Sequence, residues 1–218
     1  MNILAVDTTT KKATVALKTD SKIYLKELDN EITHSEKLLP LLDDILKEAH
    51  ISLNDIDLFA TTLGPGSFTG VRIGIATIKA IAKATNKKIF GTTSLKLLAL
   101  DGLYKTSFKP DYVLSLMDAR NSRVYYHLYK YENNTLVECD FSGNDYIDSV
   151  LDAINEMEIN NLLITTDTSS LSLENVQLSN LNLSYVFDLD LESNLYDYLT
   201  LDAMYYRKSE AERTKEGE

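Results

Sequence analysis

The chain has little with which to build disulfide or metal chemistry. One cysteine, Cys139, among 218 residues leaves no intrachain disulfide. It alternates with Val137 and Phe141 while Glu138 and Asp140 point the other way, which predicts packing within a strand rather than reactivity. Three histidines, His34, His50 and His127, are scattered, with no two at the one-turn spacing that puts both on one helical face. That spacing argues against a helix-borne metal site and against metalloprotease chemistry. No basic segment precedes the opening apolar run Ile3, Leu4, Ala5, Val6 and no small-residue cleavage site follows it, so no secretory leader is expected. Long hydrophobic runs are missing too: the most apolar helix-like stretch, Val71 to Ala82, is broken by Arg72 and Lys79 and is too short for a bilayer. A cytoplasmic protein with no membrane attachment is expected.

Cations are scarce in the second half. Residues 111–218 hold 7 Lys and Arg against 21 Asp and Glu, whereas residues 1–110 hold 15 against 12. A surface that grips phosphates needs clustered Lys and Arg, so nucleic acid is not expected on the acidic half. Its charge serves either solubility or the choice of a basic partner. Elsewhere the composition, 44% hydrophobic and 25% charged, is that of a soluble globular chain with a sizeable core.

Pattern organises the chain into two similar halves. Strands are expected at Asn2–Val6, Ala13–Leu17 and near Ile23–Leu28, then a helix from about Ser35 to His50 with Pro40 in its first turns. A strand at Leu58–Thr62, a helix from about Thr69 to Thr85, a strand at Lys88–Phe90 and a helix opened by Ser94 complete a βββαβαβα order. The second half starts alike: VLSLMDARNSRVYYHLYK at 113–130 can be laid over ILAVDTTTKKATVALK at 3–18, which matches Asp118 to Asp7. A strand at Thr135–Phe141, a helix at about Asn144–Met157 and a strand at Leu162–Thr166 follow. Similarity at so long a period implies duplicated domains rather than a solenoid. The charge-alternating end from Arg207 reads as a mobile, solvated tail.

Two strand-Asp-turn units would suit phosphate chemistry, with Asp7 and Asp118 positioning a metal, which makes an ATP-dependent small-molecule kinase one reading. Glycine is what these turns lack: DTTTKK and DARNSR contain none, and backbone amides approach phosphate closely only where side chains do not intrude. The glycine-rich stretch LGPGSFTGVRIGIATI at 63–78 lacks the lysine of a phosphate-binding loop. Pro65, Gly64 and Gly66 are instead expected to turn the chain, and Ser67 or Thr69 to cap a helix. That helix puts Val71, Ile75, Ile78 and Ala82 on a core stripe and Gly70, Gly74, Thr77 and Ile81 on a second face. Interior Gly74 costs about 1 kcal/mol relative to alanine, which asks for a close approach, either by another helix or within the same domain. In the first helix Leu38, Leu39, Leu41, Leu42, Ile45, Leu46 and Ala49 form a stripe wider than one sheet face requires. His127 shares a strand face with Tyr125 and Tyr129, which predicts aromatic packing.

The segments ILAVDTTT, HSEKLLPLLDDIL, GPGSFTGVRIGIATIKAIA, DARNSRVYY and YYRKSEAERTK, in this order, resemble the TsaB (YeaZ) family of bacterial tRNA threonylcarbamoyladenosine biosynthesis proteins. The resemblance is weakest between about Ser142 and Asp202. It implies an α/β fold of two duplicated ribonuclease-H-like subdomains of the actin, sugar kinase and Hsp70 group. The corresponding division is 1–105 with the partner-binding helices, a degenerate 106–202, and a tail at 203–218. It further implies a non-catalytic subunit that supports TsaD in N6-threonylcarbamoylation of the tRNA adenosine beside the anticodon, in tRNAs reading codons that begin with A. No catalytic, cofactor or metal residue is carried over. TsaD is the implied direct partner through a helix bundle, TsaE joins the larger assembly, tRNA is met mainly through TsaD, and a homodimer can form without TsaD. The family's partner surface maps onto the first two helices, with Leu38, Leu42, Ile45, Gly70, Gly74 and Ile78 as the expected contact residues.

Overall fold

A computed structural model of the chain describes residues 1–29, 34–168 and 176–206. The tail from Arg207 expected to be mobile, and residues 30–33 and 169–175, lie outside the described residues. Met1–Ser94 with Leu183–Met204 form one compact unit; Leu95–Asn182 and the chain from Tyr205 belong to the second.

In the first unit the run of apolar residues ILAVD forms β1 (Ile3–Asp7), buried along its whole length. It sits centrally in a sheet and is covered on both faces, which is why it reads as continuous rather than alternating. β2 (Lys12–Lys18) and β3 (Ile23–Asp29) extend the sheet antiparallel on one side; β4 (Leu58–Thr62) and β5 (Ile89–Thr92) extend it parallel on the other. Helix α1 (His34–Ala49) packs over β2 and β3, and runs through Pro40 instead of starting at it. Helix α2 (Phe68–Thr85) buries Val71, Ile75, Ile78 and Ala82, spaced so that each recurs on the same face. Ser67 caps its start by accepting the Gly70 amide, and Asn86 closes it in the left-handed conformation.

The second unit repeats the plan. β6 (Tyr112–Asp118) is central, β7 (Arg123–Glu132) and β8 (Thr135–Tyr146) lie antiparallel on one side, and β9 (Leu162–Thr166) and β10 (Val176–Leu178) lie parallel on the other. The sheet orders are β5-β4-β1-β2-β3 and β10-β9-β6-β7-β8, one topology used twice. The duplicated α/β architecture expected from the sequence is thus present. Strand β8 runs on to Tyr146, so α4 (Ile147–Glu156) starts three residues later than its periodicity suggests.

Two segments join units other than their place in the chain suggests. Helix α3 (Ser94–Lys105) follows β5, yet Ala99, Leu100 and Leu103 pack with Val113, Tyr129, Leu136 and Leu163 of the second unit. An added Cβ at Gly102 would lie 2.0 Å from Thr165 Cγ2, so this helix seats closely on β9. Conversely, the chain returns to the first unit at Leu183. A short 3-10 turn, Leu183–Asp188, packs on β1 and β2 and buries Leu183, Val186 and Phe187. β11 (Leu195–Tyr196) then adds an antiparallel sixth strand beside β5. Leu201 is fully buried in the first core, and the Met204 amide donates to the Leu63 carbonyl at 2.7 Å.

Candidate functional site

The most distinctive stretch of the sequence, Gly64 to Gly74, is organised by the threonine turn after β1. Thr8 Oγ1 donates to the Gly70 carbonyl at 2.6 Å, and the Ser67 amide donates to the Thr9 carbonyl at 2.7 Å. The glycines make room for this turn. A Cβ at Gly66 would stand 2.3 Å from the Thr9 carbonyl oxygen, one at Gly70 1.9 Å from that of Thr8, and one at Gly74 2.5 Å from Thr8 Oγ1. The close approach that Gly74 requires is therefore made by a turn of the same unit, not by another helix. The amides of Ser67, Gly70 and Val71 are all engaged inside the fold, which leaves this stretch as a helix-delivering loop rather than a phosphate cradle.

Asp7 lies beneath that loop at 1% exposure. Its Oδ1 accepts from the Thr9 amide at 3.2 Å, the Thr9 hydroxyl at 2.7 Å and the Thr62 hydroxyl. Thr9 Oγ1 in turn accepts from the Ser94 hydroxyl at 3.0 Å, so the carboxylate orders a knot of hydroxyls that joins the turn after β1 to the end of β4 and to Ser94. Asp118, its topological counterpart, is exposed and accepts the Arg120 amide at 2.8 Å. Duplication has kept the residue type and changed its setting. Among the described residues no group of three or more His, Cys, Asp or Glu could hold a metal ion.

Four of the six expected contact residues are core residues. Leu38, Leu42, Ile45 and Ile78 are 1%, 3%, 0% and 0% exposed and belong to the cluster that also contains Leu4, Val6, Val15 and Phe59. The wide stripe on α1 is filled from within, by β2, β3 and α2 together with Ile51, Leu53 and Ile56. Gly70 and Gly74 are buried under Thr8. None of the six presents a side chain to solvent. What α1 and α2 do expose is a different set. Leu39 is 57% exposed, and Arg72, Ala76, Ala80 and Ala84 recur every fourth residue along the outer side of α2, with Ile73 half-buried beside them. Arg72 lays its guanidinium over the Phe68 ring at 3.8 Å, a geometry that holds both side chains in place. The four-residue recurrence was available in the sequence, but alanine was not distinctive enough to mark it.

In the second unit His127 stacks on Tyr129 with ring centroids 4.4 Å apart, and its Nδ1 stands 3.4 Å from the Tyr206 hydroxyl. Burial pushes the imidazole below its ordinary value of 6.5, and burial with the nearby Glu138 carboxylate pushes the Tyr206 hydroxyl up to about 12. Above 6.5 the imidazole is neutral folded and unfolded; below it the unfolded chain takes the proton first, so stability is lost as pH falls from 6.5 toward the lower folded value. The melting temperature of wild type is expected to drop more steeply than that of His127→Phe between about pH 7 and about pH 5, measured by thermal unfolding in matched buffers.

The family model for TsaD, tRNA N6-adenosine threonylcarbamoyltransferase, matches residues 30–188. The chain is 36% identical over 134 residues to the tRNA threonylcarbamoyladenosine biosynthesis protein TsaB of Escherichia coli, covering 62% of this chain and 57% of that protein. It is 29% identical over 175 residues to TsaB of Bacillus subtilis, covering 78% and 72%. The match to TsaB of Buchnera aphidicola covers 63% of that protein, so the chain spans less than two thirds of the E. coli and Buchnera relatives' own length. The fold is that of YeaZ from Pseudomonas aeruginosa, with a TM-score of 0.71 at 21% identity over 94% of this chain and 100% of that one. No helix of the described residues is long and apolar enough to cross a membrane. The chain belongs to the TsaD family, and relatives that it matches over 134 and 175 residues are named TsaB.

Proposed function

We propose that this chain acts in tRNA threonylcarbamoyladenosine biosynthesis as a non-catalytic subunit that docks on TsaD through the outer faces of α1 and α2. The reading rests on the family match together with one observation: the glycine-rich start of α2 makes its close contacts with the chain's own threonine turn, its Ser67 amide bound to Thr9 and its Gly70 and Val71 amides to Ser67. A segment built this way delivers a helix, and the helix it delivers exposes small side chains every fourth residue. Small residues let a second helix approach closely, so Ala76, Ala80 and Ala84, with half-buried Ile73 on the same helix, form a face suited to helix packing. Asp7, enclosed by hydroxyl donors, has a structural task in this reading and not that of a metal-positioning carboxylate. TsaE joins the assembly of the two subunits, tRNA is held mainly by TsaD, the same helix face supports a homodimer when TsaD is absent, and the protein works in the cytoplasm.

Binding is tested by titrating the purified chain against TsaD of the same organism in a calorimeter. A saturable complex is expected; no heat and no co-elution on gel filtration would remove the docking role.

A further inference from the structure

The most exposed large apolar side chain among the described residues is Leu199, at 73%. It is not on a loose loop. Asp197 Oδ1 accepts the Leu199 amide at 2.8 Å, the Thr200 amide at 2.9 Å and the Thr200 hydroxyl at 3.1 Å, and the Leu201 amide returns to the Asp197 carbonyl at 3.1 Å. Those amide donors hold the Asp197 carboxyl below the usual carboxylate range. The turn is also fixed to α2 on both sides of Leu199. Lys83 Nζ stands 5.5 Å over the Tyr198 ring, and Lys79 Nζ donates to the Leu201 carbonyl at 2.9 Å. Leu201 itself is fully buried, so residue 199 is displayed at a set height beside the helix.

We propose that Leu199 is an apolar anchor of the docking surface, which extends from the outer face of α2 onto the turn Asp197–Leu201. This rests on the docking role proposed above and names what that role does not: the part of the surface outside the two helices and the chemistry of the partner it fits. The turn buries Leu201 but leaves the Leu199 side chain in solvent, and a rigid exposed knob loses little entropy on binding. The charge of the adjoining helix selects the occupant. Helix α2 carries Arg72, Lys79 and Lys83 and no acidic residue, in a chain with 33 Asp and Glu against 22 Lys and Arg. A partner with an apolar pocket rimmed by carboxylates fits this side of α2, where matched potential favours encounter and rejects basic surfaces.

The test measures Kd for TsaD of the same organism with four variants, at three positions whose side chains are exposed. Leu199→Asp is expected to weaken binding at least tenfold with an unchanged melting temperature, and Leu199→Ala to weaken it less. Leu25→Asp, an exposed position on β3 at the opposite edge of the sheet, is expected to leave Kd unchanged. Ala80→Glu reports on the helix face alone. If Leu199→Asp and Leu199→Ala bind as wild type while Ala80→Glu does not, the anchor is refuted and helix docking stands. If neither site matters, helix docking fails and the anchor with it. Loss with Leu25→Asp equal to that with Leu199→Asp would also refute the anchor.

Discussion

Gly70→Ala is expected to destabilise the protein by about 3 kcal/mol or more, the upper part of the range for overpacking a dense site. In a helix interior this exchange ordinarily stabilises, by about 1 kcal/mol, so the sign alone is informative. The added methyl would lie 1.9 Å from the Thr8 carbonyl oxygen and 3.1 Å from the Thr8 carbonyl carbon. These are backbone atoms of a turn tied down by the Thr8–Gly70 and Ser67–Thr9 hydrogen bonds, so they cannot swing aside as the end of a flexible side chain would. Urea unfolding should show a lower midpoint with an unchanged slope, the mark of lost stability without a change in the surface exposed. A midpoint equal to or above wild type would mean that the threonine turn does not sit on α2 as described.

Ala80→Glu is expected to weaken the complex with TsaD about a hundredfold, equivalent to roughly 2.8 kcal/mol, while leaving the melting temperature within a degree or two of wild type. The position is exposed on α2, and glutamate is a good helix former, so the fold has no reason to object. A close helix partner has two: a bulky side chain where the packing needs a small one, and a negative charge on a helix that carries none. The contrast with Leu42→Ala is diagnostic. Leu42 is 3% exposed, so its truncation should cost about 2 to 5 kcal/mol of folding stability through cavity formation, with binding of the folded fraction little changed. Measuring both variants by titration and by unfolding separates the face that holds the unit together from the face that meets the partner.

Periodicity and turn chemistry carried much of the architecture. The continuous apolar run ILAVD, the alternation after it and the stripe Val71, Ile75, Ile78, Ala82 specified strands and helix where the structure has them. The alignment of Asp7 with Asp118 correctly signalled one sheet topology used twice. Side-chain pattern says which residues share a face but not what covers that face. Leu38, Leu42 and Ile45 therefore looked like surplus apolar surface, although the segment Ile51–Ile56 and the sheet absorb them. The cause of Gly70 and Gly74 lies 62 residues away from Gly70, at Thr8, and no local rule connects them. The same applies to the return of residues 183–204 to the first unit. Its strand β11 is two residues long, too short to register as periodic, and its partner β5 is far away in the chain.

Two neighbouring features differ in how readily pattern marks them. GPGSFTGVR stands out because its glycines are chemically unusual, yet its side-chain-free positions serve internal packing. Ala76, Ala80 and Ala84 stand out in nothing except their spacing, and they are what the helix offers outward. Arg72, stacked on Phe68 at one end of that row, and Leu199, fixed beside Lys79 and Lys83, bound the same face.

In the function proposed above, this chain serves tRNA modification by supporting TsaD and not by its own chemistry. The most direct measurement is threonylcarbamoyladenosine formation on tRNA by TsaD of the same organism, supplied with threonylcarbamoyl-AMP and TsaE, with and without this chain. Product is expected only when the chain is present, at a rate that saturates as it reaches the concentration of TsaD. Undiminished product formation in its absence would contradict that role.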